Sequence, residues 1–361
     1  MSLSRRRALE AFGALAGGVA LGGIGRFDAA PADGVCPAVA GRRIRWIVPH
    51  AAGGGYDSEA RLIQPLLAQR LGARLHVDNQ PGAGGIAGAR AVAAARPDGR
   101  TLGFLGMPGL LLASLMGRAE APDPARDFAI LGRVARSWHV WATGGRSPLT
   151  SIEQVMEEAA RRPLLFGVNE VGSTSFVGIA AAAALLNVPV ELVAGFPGTR
   201  STCLAALTGD LDLVSYNYET IRPLIASGDL RPLLQISTTP IEADGPLAGV
   251  PVLGGGNGLA ARRARAQGSS AMEARRRSSE IEQVIGSGRV IVAPAGLGPD
   301  LETCLARVVH DALTSDALRL ASRRALDTAS ASEARDEVEA AVAAAPALLP
   351  VVAETLRRLR S

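Results

Sequence analysis

Four short segments place glycine and hydroxyl residues where a backbone could hold an anion. They are Ala51–Asp57 (AAGGGYD), Gln80–Gly85 (QPGAGG), Glu170–Ser175 (EVGSTS) and Gly195–Ser201 (GFPGTRS). Each follows a short apolar run and opens a run of helical periodicity. A helix N-terminus carries unpaired N–H groups and the positive end of the helix dipole, so such loops suit an anion. Gly53, Gly54 and Gly55, with Gly82, Ala83, Gly84 and Gly85, keep large side chains out of the way of a ligand. Ser173, Thr174, Ser175 and Thr199 add hydroxyl donors, and Gly198 opens the last loop. Arg200 is the one arginine in the four loops and offers a side-chain salt bridge instead. His50 and Tyr56 flank the first loop, and Asp57 can orient it or cap its helix. One glycine loop merely turns a chain. Four in equivalent positions point to a shared cleft for a small organic anion.

Other chemistries find little support. The 361 residues include no lysine, which removes the P-loop lysine, the Schiff base and the lysine general base. The run GAGGIA at 82–87 fits a dinucleotide fingerprint in form, but Asp98 is too close and follows a helix. There is no G-x-S-x-G or H-E-x-x-H motif. His76, His139 and His310 are scattered, and no Cys/His spacing suggests a metal. Aromatic residues make up only 4% and the net charge is +4, so a nucleic-acid surface is not expected. Tyr216 and Tyr218 are further candidates for polar lining. No catalytic residue, cofactor or metal is expected. Cys203 and Cys304 fall on separate predicted helices with apolar neighbours and read as buried free thiols, although export would leave a disulfide open.

The elements that must position these loops alternate. RIRWIVP, ARLHVDN and RTLGFLG read as strands, with helices between them over SEARLIQPLLAQRL and IAGARAVAAA. Pro65 should kink the first helix or delay its start. Ser151 and Gln154 form a capping box for the next helix. A second series of strands and helices runs to about residue 255. Such alternation implies mostly parallel sheets with right-handed crossovers. The expected class is therefore α/β in two lobes. Residues 41–143 plus 288–361 would form the first lobe, and 144–287 the second. An Arg-rich stretch at about 256–287 reads as an insertion with a solvated face.

Residues 1–40 read as an export signal. Arg5–Arg6 after Ser4 resembles a twin-arginine leader, and the following run is weakly apolar and rich in Ala and Gly. Ala38-Val39-Ala40 offers a cleavage site, with an earlier cut near Ala30 as the alternative.

The sequence from Ile44 to Leu102 resembles the periplasmic substrate-binding proteins of tripartite tricarboxylate transporters, the Bug family. The matching segments run from Val48 to Asp57, from Asn79 to Gly85 and from Pro97 to Leu102. GVNEVGSTS, FPGTRS, LTGDLDLV and VAPAGLGPDL extend the likeness. His50 stands where the family usually has Phe, and Phe196 where it has Tyr. The resemblance implies a two-lobed Venus-flytrap fold. It implies a periplasmic monomer that captures a di- or tricarboxylate, or a related carboxylate, and delivers it to membrane permease subunits. It also implies that the first two loops hold the carboxylate through backbone groups. A sensing role beside a membrane receptor, or an enzyme on the same lobes, remains the alternative.

Overall fold

The computed structural model describes residues 36–358 apart from 119, 243 and 323–325. The expected leader at residues 1–35 lies outside them. The first run of elements is β1 (Arg43–Val48), α1 (Gly55–Leu71), β2 (Arg74–Asn79), α2 (Ile86–Ala93), β3 (Thr101–Gly106), α3 (Met107–Leu115) and β4 (Phe128–Ala135). The second is β5 (His139–Gly144), α4 (Ile152–Ala159), β6 (Leu164–Gly167), α5 (Thr174–Leu185), β7 (Val190–Val193), α6 (Thr199–Thr208), β8 (Leu213–Asn217), α7 (Tyr218–Ala226) and β9 (Leu230–Ile236). Then come α8 (Leu259–Ala266), α9 (Ala271–Gly286), β10 (Arg289–Pro294), α10 (Pro299–Leu313), α11 (Asp316–Ser322), α12 (Ala331–Ala344) and α13 (Leu349–Arg358).

Two five-stranded sheets result, in the orders β2-β1-β3-β10-β4 and β7-β6-β8-β5-β9. β1 pairs in parallel with β2 and β3, and β6 with β7 and β8. β10 is antiparallel to both its neighbours, and so is β5. These two are the strands that arrive from the other sheet. They enter from the opposite end, so they run against the rest. Both faces of each sheet are covered, which is why β4, β5 and β10 are buried along their whole length.

The chain crosses between the sheets at residues 136–138, because His139–Gly144 already belongs to the second sheet. The sequence alone placed that crossing after residue 143. The tail also departs from the expected boundary. Ala341, Ala345, Leu348 and Val352 pack into the core of the second sheet, whereas the sequence put everything after 287 with the first. The Arg-rich stretch folds as α8 and α9. Ala260, Ala264, Ile281 and Val284 face that same core, and Arg276 and Arg277 pair with Glu273 on the outside. α1 continues through Pro65 without interruption or a delayed start. Half of the capping box forms. Gln154 N donates to Ser151 Oγ at 3.3 Å, but the Gln154 carbonyl takes the N–H of Thr150 instead of Ser151.

The cysteines need correction. Cys36 and Cys304 form a disulfide with their Cα atoms 5.8 Å apart, and Cys203 is the buried free thiol. Burial pushes the Cys203 thiol up to about 12. Cys36 and Val39 are fully buried against the first sheet, and the Val39 and Ala40 N–H groups bond the Cys36 carbonyl. A cut after Ala40 would remove core residues, so processing before Cys36 agrees with the structure. The bridge spans 268 residues of chain, and closing so long a loop restricts the unfolded state strongly. Cys304→Ser should lower unfolding free energy by about 2–4 kcal/mol in denaturant titrations. Intact mass of exported protein should place the mature N-terminus at or before Cys36.

Candidate functional site

A cleft of about 450 Å³ opens where strands of the two sheets end. Its walls come from the segments after β1, β2, β6, β7 and β8 and from the first residues of β5 and β10. This is where parallel strands deliver loops and helix N-termini, so ligands gather there in open α/β sheets.

The first loop presents His50, Gly54, Gly55 and Tyr56 to the cleft. Gly53 and Asp57 lie behind it. The Asp57 carboxylate accepts the Gly53 N–H at 2.8 Å and Arg61 Nε at 3.0 Å. Burial would raise its pKa, but Arg61, the Gly53 N–H and Asn79 outweigh that and hold it low. Asp57 therefore fixes the shape of the loop and does not line the cleft. From the second sheet come Ser173, Thr174 and Ser175 at the start of α5, and Gly198 and Thr199 at the start of α6. Ser173 Oγ caps α5 by accepting the Phe176 N–H at 3.3 Å.

Two groups of expected residues stand elsewhere. Gly82, Ala83, Gly84 and Gly85 do not line the cleft. The Gly84 N–H, expected to meet a ligand, donates instead to Glu170 Oε2 at 2.6 Å. Gly84 has φ +72°, which favours glycine. Arg200 is exposed and lies outside the lining, because it projects from the outer side of the first turn of α6.

The sequence reading missed the charged centre. Arg289, the first residue of β10, is only 4% exposed. Its Nη1 lies 2.6 Å from Glu59 Oε2, and its Nη2 donates to Thr220 Oγ1 at 3.5 Å. Nε has no hydrogen-bond acceptor among the described residues. The guanidinium carbon sits 4.4 Å from the centre of the Tyr56 ring, a cation–π distance. The His50 ring stacks on Tyr56 at 3.9 Å. This stack requires Gly106, which pairs with Arg289 across the sheet. A Cβ there would overlap the Tyr56 hydroxyl. Other missed residues are Asn169, Glu170 and Asn217, while of the two tyrosines expected as polar lining Tyr216 borders the cleft and Tyr218 does not. Tyr216 donates to Asn169 Oδ1, and its hydroxyl lies 2.8 Å from Thr202 Oγ1, a network that holds the Asn169 amide at the wall. The sequence carries the position of Arg289 at the head of a strand, but not its burial. A lone arginine begins an otherwise apolar strand, and a buried charge needs a reason.

Burial, and secondarily the charge of Arg289, lower the pKa of both His50 and His139 to about 3. Both rings are neutral at physiological pH, so Arg289 is the one cation lining the cleft among the described residues. No group of three or more His, Cys, Asp or Glu among them could hold a metal ion. The depressed histidines link stability to pH. Below about 6.5 the unfolded chain takes up protons that the folded chain refuses, so stability falls as pH drops from 6.5 towards 3. For His139, 3% exposed and 3.3 Å from Ser215 Oγ, the slope should be about 1.4 kcal/mol per pH unit. Thermal unfolding between pH 7 and pH 5 should show a shallower decline in His139→Asn than in the parent protein.

The comparisons with known proteins agree with this fold. Residues 59–251 match the model of the tripartite tricarboxylate transporter family receptor. A UPF0065 protein of Bordetella bronchiseptica is 29% identical over 202 residues, covering 55% of this chain and 58% of that protein. BugT of Bordetella pertussis is 27% identical over 205 residues, covering 55% and 61%. The chain thus spans about three-fifths of the length of these curated relatives. Among solved structures, an adipate-bound protein of R. palustris is 24% identical with a TM-score of 0.66, covering 86% of this chain and 97% of that one. MatC of Rhodopseudomonas palustris with bound malate is 22% identical with a TM-score of 0.65, covering 86% and 99%. At such identities these structures establish the two-lobed fold. With more than half of its length matched by the family model, this chain belongs to the tripartite tricarboxylate transporter receptor family.

Proposed function

We propose that this protein captures a small organic carboxylate between its lobes and presents it to the membrane subunits of a tripartite transporter. One observation carries the reading. The N-termini of α1, α5 and α6 and the buried guanidinium of Arg289 all border a single cleft. Helix N-termini and a desolvated guanidinium each favour a carboxylate, and together they favour it from both sheets. The adipate and malate held by the two similar structures fit the same class of ligand. We also infer export through a twin-arginine-like leader and action as a periplasmic monomer. Twin arginines near the N-terminus and a disulfide that requires an oxidising compartment support the export reading.

The backbone cradle expected of the first two loops is revised here. Gly54, Gly55 and the starts of α5 and α6 supply the N–H and hydroxyl groups, and Arg289 supplies the charge. Removing that charge should cost binding. Arg289→Gln alone would strand the buried Glu59 carboxylate, so the informative variant is the double change Arg289→Gln with Glu59→Gln. Calorimetry with carboxylates that raise the melting temperature should show about ten- to hundredfold weaker binding. Arg200→Ala should bind within about twofold of the parent, since no lost contact is expected at an exposed position. The reverse outcome would return the salt bridge to Arg200.

Closure of the lobes on the ligand is the motion expected of two sheets joined by crossing segments. Small-angle scattering with saturating ligand should give a smaller radius of gyration than the ligand-free protein, and an unchanged profile would reject closure.

A further inference from the structure

Glu170 is the second charged side chain on the cleft wall. It stands on the loop between β6 and α5, and its Oε2 accepts the Gly84 N–H at 2.6 Å from the glycine loop of the first sheet. A carboxylate of the protein itself thereby occupies the anion position that the second glycine loop offers. Among the described residues Glu170 has no salt-bridge partner. Arg118, the nearby cation, lies with Nη1 against Gly172 and is outside the lining.

The charges can be followed around the site. Arg289 is balanced by Glu59. Asp57 is balanced by Arg61 behind the first loop. His50 and His139 are neutral. Glu170 is left over, so the cleft with its supporting pairs carries one net negative charge. A ligand carboxylate can still share the guanidinium of Arg289, which has more N–H groups than Glu59 uses. A second ligand carboxylate would have to lie in the same cleft as Glu170. An ionised carboxylate only accepts hydrogen bonds, so two of them meeting there can form none.

We propose that Glu170 selects the far end of the ligand, admitting a carboxylate whose other end donates a hydrogen bond and rejecting a second carboxylate. The donor is an ammonium, hydroxyl or amide. This rests on the carboxylate reading above and narrows it to ligands with a single negative charge.

The test is calorimetry on the disulfide-intact mature protein and on Glu170→Gln. The probes are ω-amino acids, ω-hydroxy acids and α,ω-dicarboxylates matched in length from four to eight carbons, with the simple monocarboxylates as reference. At each length that binds, the donor-ended acid should bind about tenfold or more tightly than the dicarboxylate. Glu170→Gln should bring the two within about threefold of each other, chiefly by improving the dicarboxylate, because an amide donates as well as accepts. Dicarboxylates that bind the parent protein as tightly as donor-ended acids would overturn the proposal. So would a preference that Glu170→Gln leaves unmoved. If carboxylates bind and only this preference fails, the carboxylate reading stands without Glu170. If no carboxylate of any series binds either protein, both fall.

Discussion

A guanidinium buried where two sheets meet must be neutralised and surrounded, and the architecture of the cleft follows from how Arg289 satisfies that demand. Glu59 on α1 supplies the opposite charge, Thr220 on α7 an acceptor, and Tyr56 the face of a ring. These partners come from two helices, α1 beside the first sheet and α7 beside the second. Removing one partner of a buried ion pair typically costs about 3–5 kcal/mol, so the position of Arg289 constrains α1 as firmly as packing does. The same charge, added to burial, keeps His50 and His139 unprotonated. One residue thus sets the electrostatics of the floor and part of the contact between the lobes.

The topology explains why this residue is where it is. In each sheet the strand that crosses from the other lobe runs antiparallel. The parallel strands end at the cleft, and an antiparallel strand must therefore begin there. β10 begins with Arg289 and β5 begins with His139, and both line the cleft. Parallel strands contribute loops and helix starts, which are rich in backbone donors. Crossing strands contribute side chains fixed by ladder hydrogen bonds on both sides. The site combines adaptable loops with rigidly held ring and guanidinium groups.

Much of this was legible in the sequence. Alternating apolar runs and helical periods gave the α/β class, and the glycine and hydroxyl loops marked three of the helix starts that line the cleft. What could not be read was anything that depends on which strand sits between which. Arg289 looked like the edge of an apolar strand, because its insertion between β3 and β4 is a long-range event. Cys36 looked like part of a leader, because local small residues suggested a cut beyond it, and only its burial beside Cys304 shows otherwise. Arg200 shared a loop with real lining residues, yet its place on the turn of α6 points it to solvent. A loop motif locates a backbone, and the helical phase decides which side chains face inward.

The second glycine loop illustrates the remaining gap. Its glycines invite an anion, and they do meet one, but that anion is Glu170 from the other sheet. A backbone N–H has one proton to give, so a strong internal acceptor competes with a ligand for it. A loop built to bind anions can equally well join two lobes, with the protein supplying the anion. The distinction is invisible to a motif, since the same φ and the same exposed N–H serve both ends. It appears only when the loop after β6 is brought across from the second sheet. In the structure the carboxylate is fixed by a charge-assisted hydrogen bond from the Gly84 N–H. The lobe motion proposed above would break that contact on opening and expose both groups to water. The lobe contact and the charge presented to the ligand are then properties of the same side chain.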